Sequence, residues 1–172
     1  MNESKKRGEK DTTNVPKFTV VRDTREKKGK GWQFNKASDC NGTIEQKMDT
    51  GDYTMLGYEH LVSIERKGSV LEWAQNVSQD RFWRELERMS HFKYPFILLE
   101  CDMSDIMAFP RYGVPARLKY VIRVQGSFIL KRMNEMRLKY PNIHILCVGK
   151  HGKDVVKSLF KRVIEEEGPN SE

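Results

Sequence analysis

Apolar positions along this chain fall into short runs with two distinct periods. "KFTVVRD", residues 17–23, is rich in β-branched and aromatic side chains and predicts a strand that delivers Asp23 to a loop. The loop, "TREKKGKGWQFNKASDCNG", has the Gly, Asn, Asp and Lys content of irregular structure. "DYTML" and "HLVSIERK", separated by "GYE", predict a hairpin with Gly57 in its turn. From Ser69 to His91, Leu71, Phe82, Leu86 and Met89 recur at helical spacing, and the polar stretch Asn76 to Asp80 splits the pattern in two. "YPFILLECD" and "YPNIHILCVG" are continuous apolar runs, as expected of strands buried on both faces. Between them Leu118, Val121, Ile122, Phe128, Ile129, Met133 and Met136 follow a 3.6-residue period after Pro115. Val155, Val156, Leu159, Phe160, Val163 and Ile164 do the same after Gly152.

This alternation predicts an α/β fold, a mixed central β-sheet flanked by helices on both faces, with the later strands parallel and the 51–67 hairpin antiparallel. A chain of 172 residues without internal repeats suits one domain with a sizeable core. Residues 1–16 are polar and of mixed charge, too poor in apolar surface to offset the entropy of ordering, and predict a flexible arm. The folded domain is expected over 17–166, with 167–172 as a polar tail.

Composition narrows the function classes. No apolar run approaches the ~20 residues that span a bilayer, and "MNESKKRGEKDTT" lacks the apolar centre of a secretory signal, so a cytoplasmic location and no membrane partner are expected. Cys40, Cys101 and Cys147 contain no Cys-x-x-Cys pair, which argues against a disulfide framework or a zinc site. A formal charge of +7 favours a polyanionic partner, because Lys and Arg that neutralise phosphates release condensed counterions.

The candidate chemistry lies in "GDYTMLGYEHLVSIERKG", residues 51–68. In "SIERK", Glu65 and Lys67 share one face of a strand and Arg66 points to the other. Two carboxylates, Asp52 and Glu65, with the Lys67 ammonium can hold a hard divalent cation against a phosphodiester, since Mg²⁺ takes oxygen ligands and keeps several waters. The cation acidifies water, and cation and ammonium together stabilise charge developing at phosphorus. As spacing alone, Glu-x-Lys also describes a solvated ion pair on an exposed strand. The apolar flanks "LVSI" and "YTML" instead put these charges at the margin of a buried sheet, where each needs a partner.

Four motifs in order, "VRDTRE", "GDY", "IERK" and "DRFWRELERM", resemble the nuclease domain of the XPF-type structure-specific endonucleases, a branch of the PD-(D/E)XK superfamily with the restriction-endonuclease-like fold. The resemblance runs from about Phe18 to Glu165 and is nearest to small stand-alone members from phages and bacteria. It implies Mg²⁺- or Mn²⁺-dependent cleavage of DNA, often near branches or junctions, in repair or recombination, and for a phage-encoded chain in the host cytoplasm. It further implies Asp52 and Glu65 as metal ligands, Lys67 as the catalytic lysine, and Asp23 and Glu26 as acidic residues beside the metal, with Asp23 a further ligand. Arg25 and Arg66 match basic positions of the pattern, and Arg81 and Phe82 the Arg-Phe that begins the following helix. Where the family commonly has an Asp four residues after the lysine, this chain has Leu71 with Glu72 beside it. Either Glu72 takes that place by a one-residue shift, or the acid is absent.

Other residues admit plainer readings. Arg25 and Glu26 could form a loop ion pair worth under ~1 kcal/mol. Trp73 and Trp83 read as core or partner-facing aromatics rather than base-stacking platforms. His144 reads as a sheet histidine with its hydrogen bonds satisfied, and His60, His91 and His151 lack ligand spacing. "GKHGK" reads as a strand-to-helix turn that leaves Lys150 and Lys153 free for DNA phosphates. The basic stretches Arg117 to Lys139 and Lys153 to Arg162 are expected to add phosphate contacts. Phe128, Met136 and Phe160 suggest surplus apolar area and a homodimer through the C-terminal helices. The competing function is a catalytically silent DNA-binding or dimerisation subunit of the same family. A small-molecule hydrolase is set aside for want of a Gly-x-Ser-x-Gly or a nucleotide loop.

Overall fold

The computed structural model describes residues 16–26 and 29–169, so the arm predicted for 1–16 lies outside them except for Pro16. Six strands form one mixed sheet in the order β2-β1-β3-β4-β5-β6. They are β1 (Phe18–Asp23), β2 (Cys40–Gln46), β3 (Tyr53–Met55), β4 (Val62–Lys67), β5 (Tyr94–Leu99) and β6 (His144–Cys147). β3 runs antiparallel to both β1 and β4, while β4–β5, β5–β6 and β1–β2 are parallel.

Helices cover both faces, as the alternating pattern requires. On one side α1 (Val70–Asn76), α2 (Asp80–Met89), α3 (Met103–Ala108) and α5 (Gly126–Lys139) pack on Ile97 and Leu99 through Trp73, Phe82, Leu86, Ile106, Ile129 and Met133. On the other, α6 (Gly152–Glu167) packs through Val156, Phe160, Val163 and Ile164 on Val20, Met55, Ile64 and Leu98. A four-residue helix α4 (Ala116–Lys119) lies between α3 and α5.

Several expectations need correction. β2 was hidden in the predicted loop because it is an edge strand with a mostly exposed, polar sequence, held by parallel pairing with β1 rather than by its own burial. Trp32 and Phe34 of the same loop are buried: Trp32 N–H donates to the Tyr53 hydroxyl and Phe34 N–H to Thr43 Oγ1. β6 is the other edge strand, so it is half-exposed rather than buried on both faces. His144 accordingly lies exposed and stacks on Phe96 at 5.1 Å between ring centres. The long helix expected after Pro115 is broken, since only Ala116–Lys119 and Gly126–Lys139 are helical. Met136 and Phe160 belong to the core, so of the three residues offered as a dimer surface only Phe128 is exposed. The α6 helix runs to Glu167, whose carboxylate accepts from Lys93 and from the Tyr94 hydroxyl, and the Tyr58 hydroxyl donates to Gly168 O. Trp73 is fully buried and Trp83 half-buried under Arg132, whose guanidinium lies 4.2 Å from the ring centre, so both aromatics are structural. Among the described residues no helix is long and apolar enough to cross a membrane.

Candidate active site

The site lies where β1 and β4 end and β3 begins. Gly51 has φ +79°, and a Cβ there would meet Ser63 Oγ at 2.6 Å, so only glycine lets the chain turn this tightly against β4. Asp52 N–H then donates to Ile64 O at 2.8 Å, and Asp52 Oδ2 accepts from Arg66 N–H at 2.8 Å. These two bonds fix Asp52 against the end of β4. Glu65 and Lys67 leave β4 on the same side and are 4% and 5% exposed, with the Lys67 ammonium donating to Glu65 Oε1. The Lys67 ammonium also lies 5.3 Å from the ring centre of Phe82, the buried aromatic of the Arg81-Phe82 pair that opens α2.

A cleft of about 400 Å³ opens over this group, with Asp52, Glu65 and Lys67 in it and Asp23, Arg25 and Arg81 around it. Glu72 and Glu85 also line it. Glu72 holds its place by capping: the Ser69 hydroxyl accepts from Glu72 N–H at 3.1 Å, and Glu72 Oε2 accepts from Gly68 N–H at 2.9 Å. Leu71 packs against the core instead, while Glu72 lines the cleft. Glu85 was not singled out from the sequence. Its signal was available, because Arg81 and Glu85 are four apart in α2 and must share a face.

Electrostatics single out the two central acids. Burial pushes the Asp52 carboxyl up to about 7, against the pull of Lys67 and the Arg66 N–H. Burial, then the neighbouring Asp52 charge, push Glu65 up to about 8, again against Lys67. Burial would lower the Lys67 ammonium, but the Glu65 and Asp52 charges outweigh it and the net direction is upward. Physically, one ammonium balances one carboxylate, and the second acid keeps a proton near neutral pH. No protein donor among the described residues reaches Asp52 Oδ1 or Glu65 Oε2.

That imbalance is the test of fit for a divalent cation. Among the described residues no group of three or more His, Cys, Asp and Glu is arranged to hold a metal ion. Two carboxylates suffice for Mg²⁺, which is commonly held by one or two carboxylates with water and substrate phosphate completing its shell. Asp52 and Glu65 fit that description: they are buried, adjacent, short of positive charge and open to a cleft.

The remaining residues of the sequence reading fall into three places. Asp23 lies at the rim with both oxygens engaged by Arg25, at 3.0 Å from Nε to Oδ2 and 2.8 Å from the backbone N–H to Oδ1. Burial would raise the Asp23 carboxyl, but the Arg25 bonds and charge hold it below its ordinary value. Glu26 lies outside the cleft and pairs with Arg66 Nη1 at 3.0 Å, on the other side of β4. Arg66 reaches Glu100 with its second nitrogen, and Glu100 also accepts from Trp32 Nε1 at 2.5 Å. The plainer reading of an Arg25–Glu26 pair is not what forms: Arg25 pairs with Asp23 and Glu26 with Arg66. Lys150 and Lys153 are exposed around the start of α6, and Lys153 borders a different depression with Arg22 and Glu45, away from Asp52.

No protein-family model and no curated protein matches the chain. Among solved structures, XPF from Aeropyrum pernix superposes with a TM-score of 0.57 at 19% identity, over 86% of this chain and 67% of that one. XPF from Aeropyrum pernix in complex with DNA superposes at 0.58 and 19% identity, over 88% of this chain and 66% of that one. The chain thus spans about two thirds of the length of those proteins and has the XPF-type nuclease fold, a mixed six-stranded sheet with helices.

Proposed function

We propose that this chain is a metal-dependent DNA endonuclease acting at branched or junction-containing DNA. The observation that carries the reading is the pair of buried carboxyls, Asp52 and Glu65, raised by burial and sharing one ammonium at the floor of an open cleft. Buried ionisable groups that one partner cannot neutralise are costly in a purely structural role and are expected where charge is handled. The likeness to a DNA complex of the same fold supports DNA as the polyanion that the +7 charge favours.

In this mechanism Asp52 and Glu65 hold Mg²⁺ or Mn²⁺, which when bound supplies an acidified water and charge neutralisation at the scissile phosphate. Both acids must ionise for that, so binding displaces the proton that Asp52 and Glu65 otherwise keep. Lys67, held by Glu65 and by the face of Phe82, presents its ammonium to the negative charge that builds on the phosphoryl oxygens. Asp23 fixes Arg25 at the rim, where Arg25 and Arg81 bind flanking phosphates. Glu26 and Arg66 brace the back of β4, and Lys150 and Lys153 contribute more remote phosphate contacts. The homodimer belongs to the same proposal; of its three residues Phe128 remains exposed, and Leu138 of α5, also exposed, is added to it.

The deciding experiment is a gel assay of purified protein on duplex, single-stranded, flap and fork DNA with Mg²⁺, Mn²⁺ or chelator. Cleavage with metal only, strongest on the branched substrates, is expected. Binding without cleavage under every condition would mark a silent subunit.

A further inference from the structure

We infer that residues 109–126 form a surface platform for single-stranded nucleic acid, distinct from the cleft over Asp52. The inference rests on the nuclease reading only in taking the nucleic acid to be DNA.

The segment is built like a strap on feet. Its two ends meet, Gly126 N–H donating to Phe109 O at 3.1 Å, and a Cβ on Gly126 would meet Ile106 O at 2.3 Å, so α3 and α5 close tightly beneath it. Phe109 and Val114 are buried, and Leu118, Ile122 and Val124 pack on the same core. Between these feet every residue but the half-buried Pro110 is exposed. Tyr120 is 96% exposed, Val121 71% and Tyr112 68%. Arg111, Arg117, Lys119 and Arg123 alternate with them and are all exposed. From Ile106 to Asn134 the sequence contains no Asp or Glu. None of the four cations, nor the Tyr112 or Tyr120 hydroxyl, has a hydrogen-bonding or ionic partner among the described residues.

A structural role accounts for none of this. Structural cations in this protein pair with acids, as Arg66, Arg132 and Lys161 do. Exposed aromatics interleaved with unpaired cations on an anchored backbone match what single strands need: π-faces for bases and positive charge along the phosphates. Duplex DNA hides its base faces and cannot use the tyrosines. The strap follows α3, and α3 follows the end of β5 that lies beside the Lys67 end of β4, since Lys67 and Leu99 are paired in register. The element that leads into the strap thus starts at the strand end that also carries Lys67.

The test measures fluorescence anisotropy of labelled oligo-dT and of a matched duplex, in chelator so that nothing is cut. Tyr112→Ala with Tyr120→Ala should weaken oligo-dT binding by about tenfold or more, since stacking contributes substantially per base, and leave duplex binding within about twofold. Tyr112→Phe with Tyr120→Phe should bind as wild type. Arg117→Ala with Lys119→Ala should reduce the slope of log affinity against log salt on oligo-dT by about 1.4, from roughly 0.7 per lost contact. These side chains are solvent-exposed, so the thermal melt should not move. Oligo-dT binding unchanged by the tyrosine truncations, or an equal loss on duplex, would overturn the platform. So would light scattering that shows a wild-type oligomer dissolved by Tyr120→Ala, which would make the strap a protein interface. If wild-type protein cuts branched DNA and the tyrosine variants bind oligo-dT normally, only the platform fails. If wild-type protein binds neither DNA, the nuclease reading fails with it.

Discussion

The two sides of β4 carry the same set of groups, one cation and two acids, and treat them differently. On one side Lys67 faces Glu65 and Asp52; on the other Arg66 faces Glu26 and Glu100. Each group has one cation and two acids. Arg66 has a planar fork and bonds both of its acids at once, Glu26 with one nitrogen and Glu100 with the other, while Trp32 Nε1 adds a further bond to Glu100. The Lys67 ammonium donates to Glu65 and leaves Asp52 with a single backbone donor. The groups match in kind and differ in bonding: three side-chain bonds reach the acids around Arg66, one side-chain and one backbone bond those around Lys67. The closed group ties β4 to Glu26, Trp32 and Glu100; the open group leaves an oxygen of each acid without a protein donor.

Breaking the open side should have the largest effect. Asp52→Asn and Glu65→Gln should each abolish metal-dependent cleavage, by about 10³-fold or more, while leaving DNA binding intact or tighter, because each removes a ligand and a negative charge beside the phosphate. Lys67→Ala should slow the chemical step by about 10²- to 10³-fold and leave metal affinity nearly unchanged. Rates count only for variants whose melts show them folded.

The closed side should fail differently. Arg66→Met leaves Glu26 and Glu100 without their shared donor, and should cost about 2–3 kcal/mol, a fall in Tm of roughly 4–9 °C. That loss should occur equally with and without metal, measured by calorimetry.

The pH response separates the sides again. Asp52 and Glu65 are raised in the folded protein to about 7 and about 8, so the folded state binds their protons more tightly than the unfolded chain does. Their contribution to stability is therefore full below ordinary carboxylate values and is lost as pH rises through the folded ones. In chelator, the wild-type melt should fall between pH 5.5 and 8.5. Asp52→Asn should flatten that fall and melt about 4 °C or more above wild type at pH 8.5. Titrating Mn²⁺ calorimetrically at pH 7, in buffers of different ionisation enthalpy, should show release of about one proton per ion bound. Glu72→Gln should have the smallest effect, a few-fold loss of rate with little change in Tm, since the amide oxygen still accepts from Gly68 N–H.

Much of this was legible in the sequence because it is local. The Gly57 hairpin, the two-residue period that puts Glu65 and Lys67 together, and the break between α1 and α2 each depend on neighbours a few residues away. The rest depends on distant pairing. β2 is a strand only because β1 lies beside it, and the polar "TIEQ" carries no burial pattern of its own. Arg66 and Glu100 are neighbours because β4 and β5 are parallel, which no spacing within either strand reveals. The apolar period over 118–136 was real, since Ile129, Met133 and Met136 are core, but Leu118 and Ile122 are feet of a strap rather than turns of the same helix.

Parallel pairing of β4 with β5 also has a consequence for vectorial synthesis. Every acid of the cleft is encoded between residues 23 and 85, yet Glu65 lies in register with Ile97. A nascent chain halted before β5 holds the acids without the apolar wall behind them. Asp52 and Glu65 there lack the burial that raises them in the folded protein. The acids lie in the first half of the chain, and the strand that walls them in lies in the second.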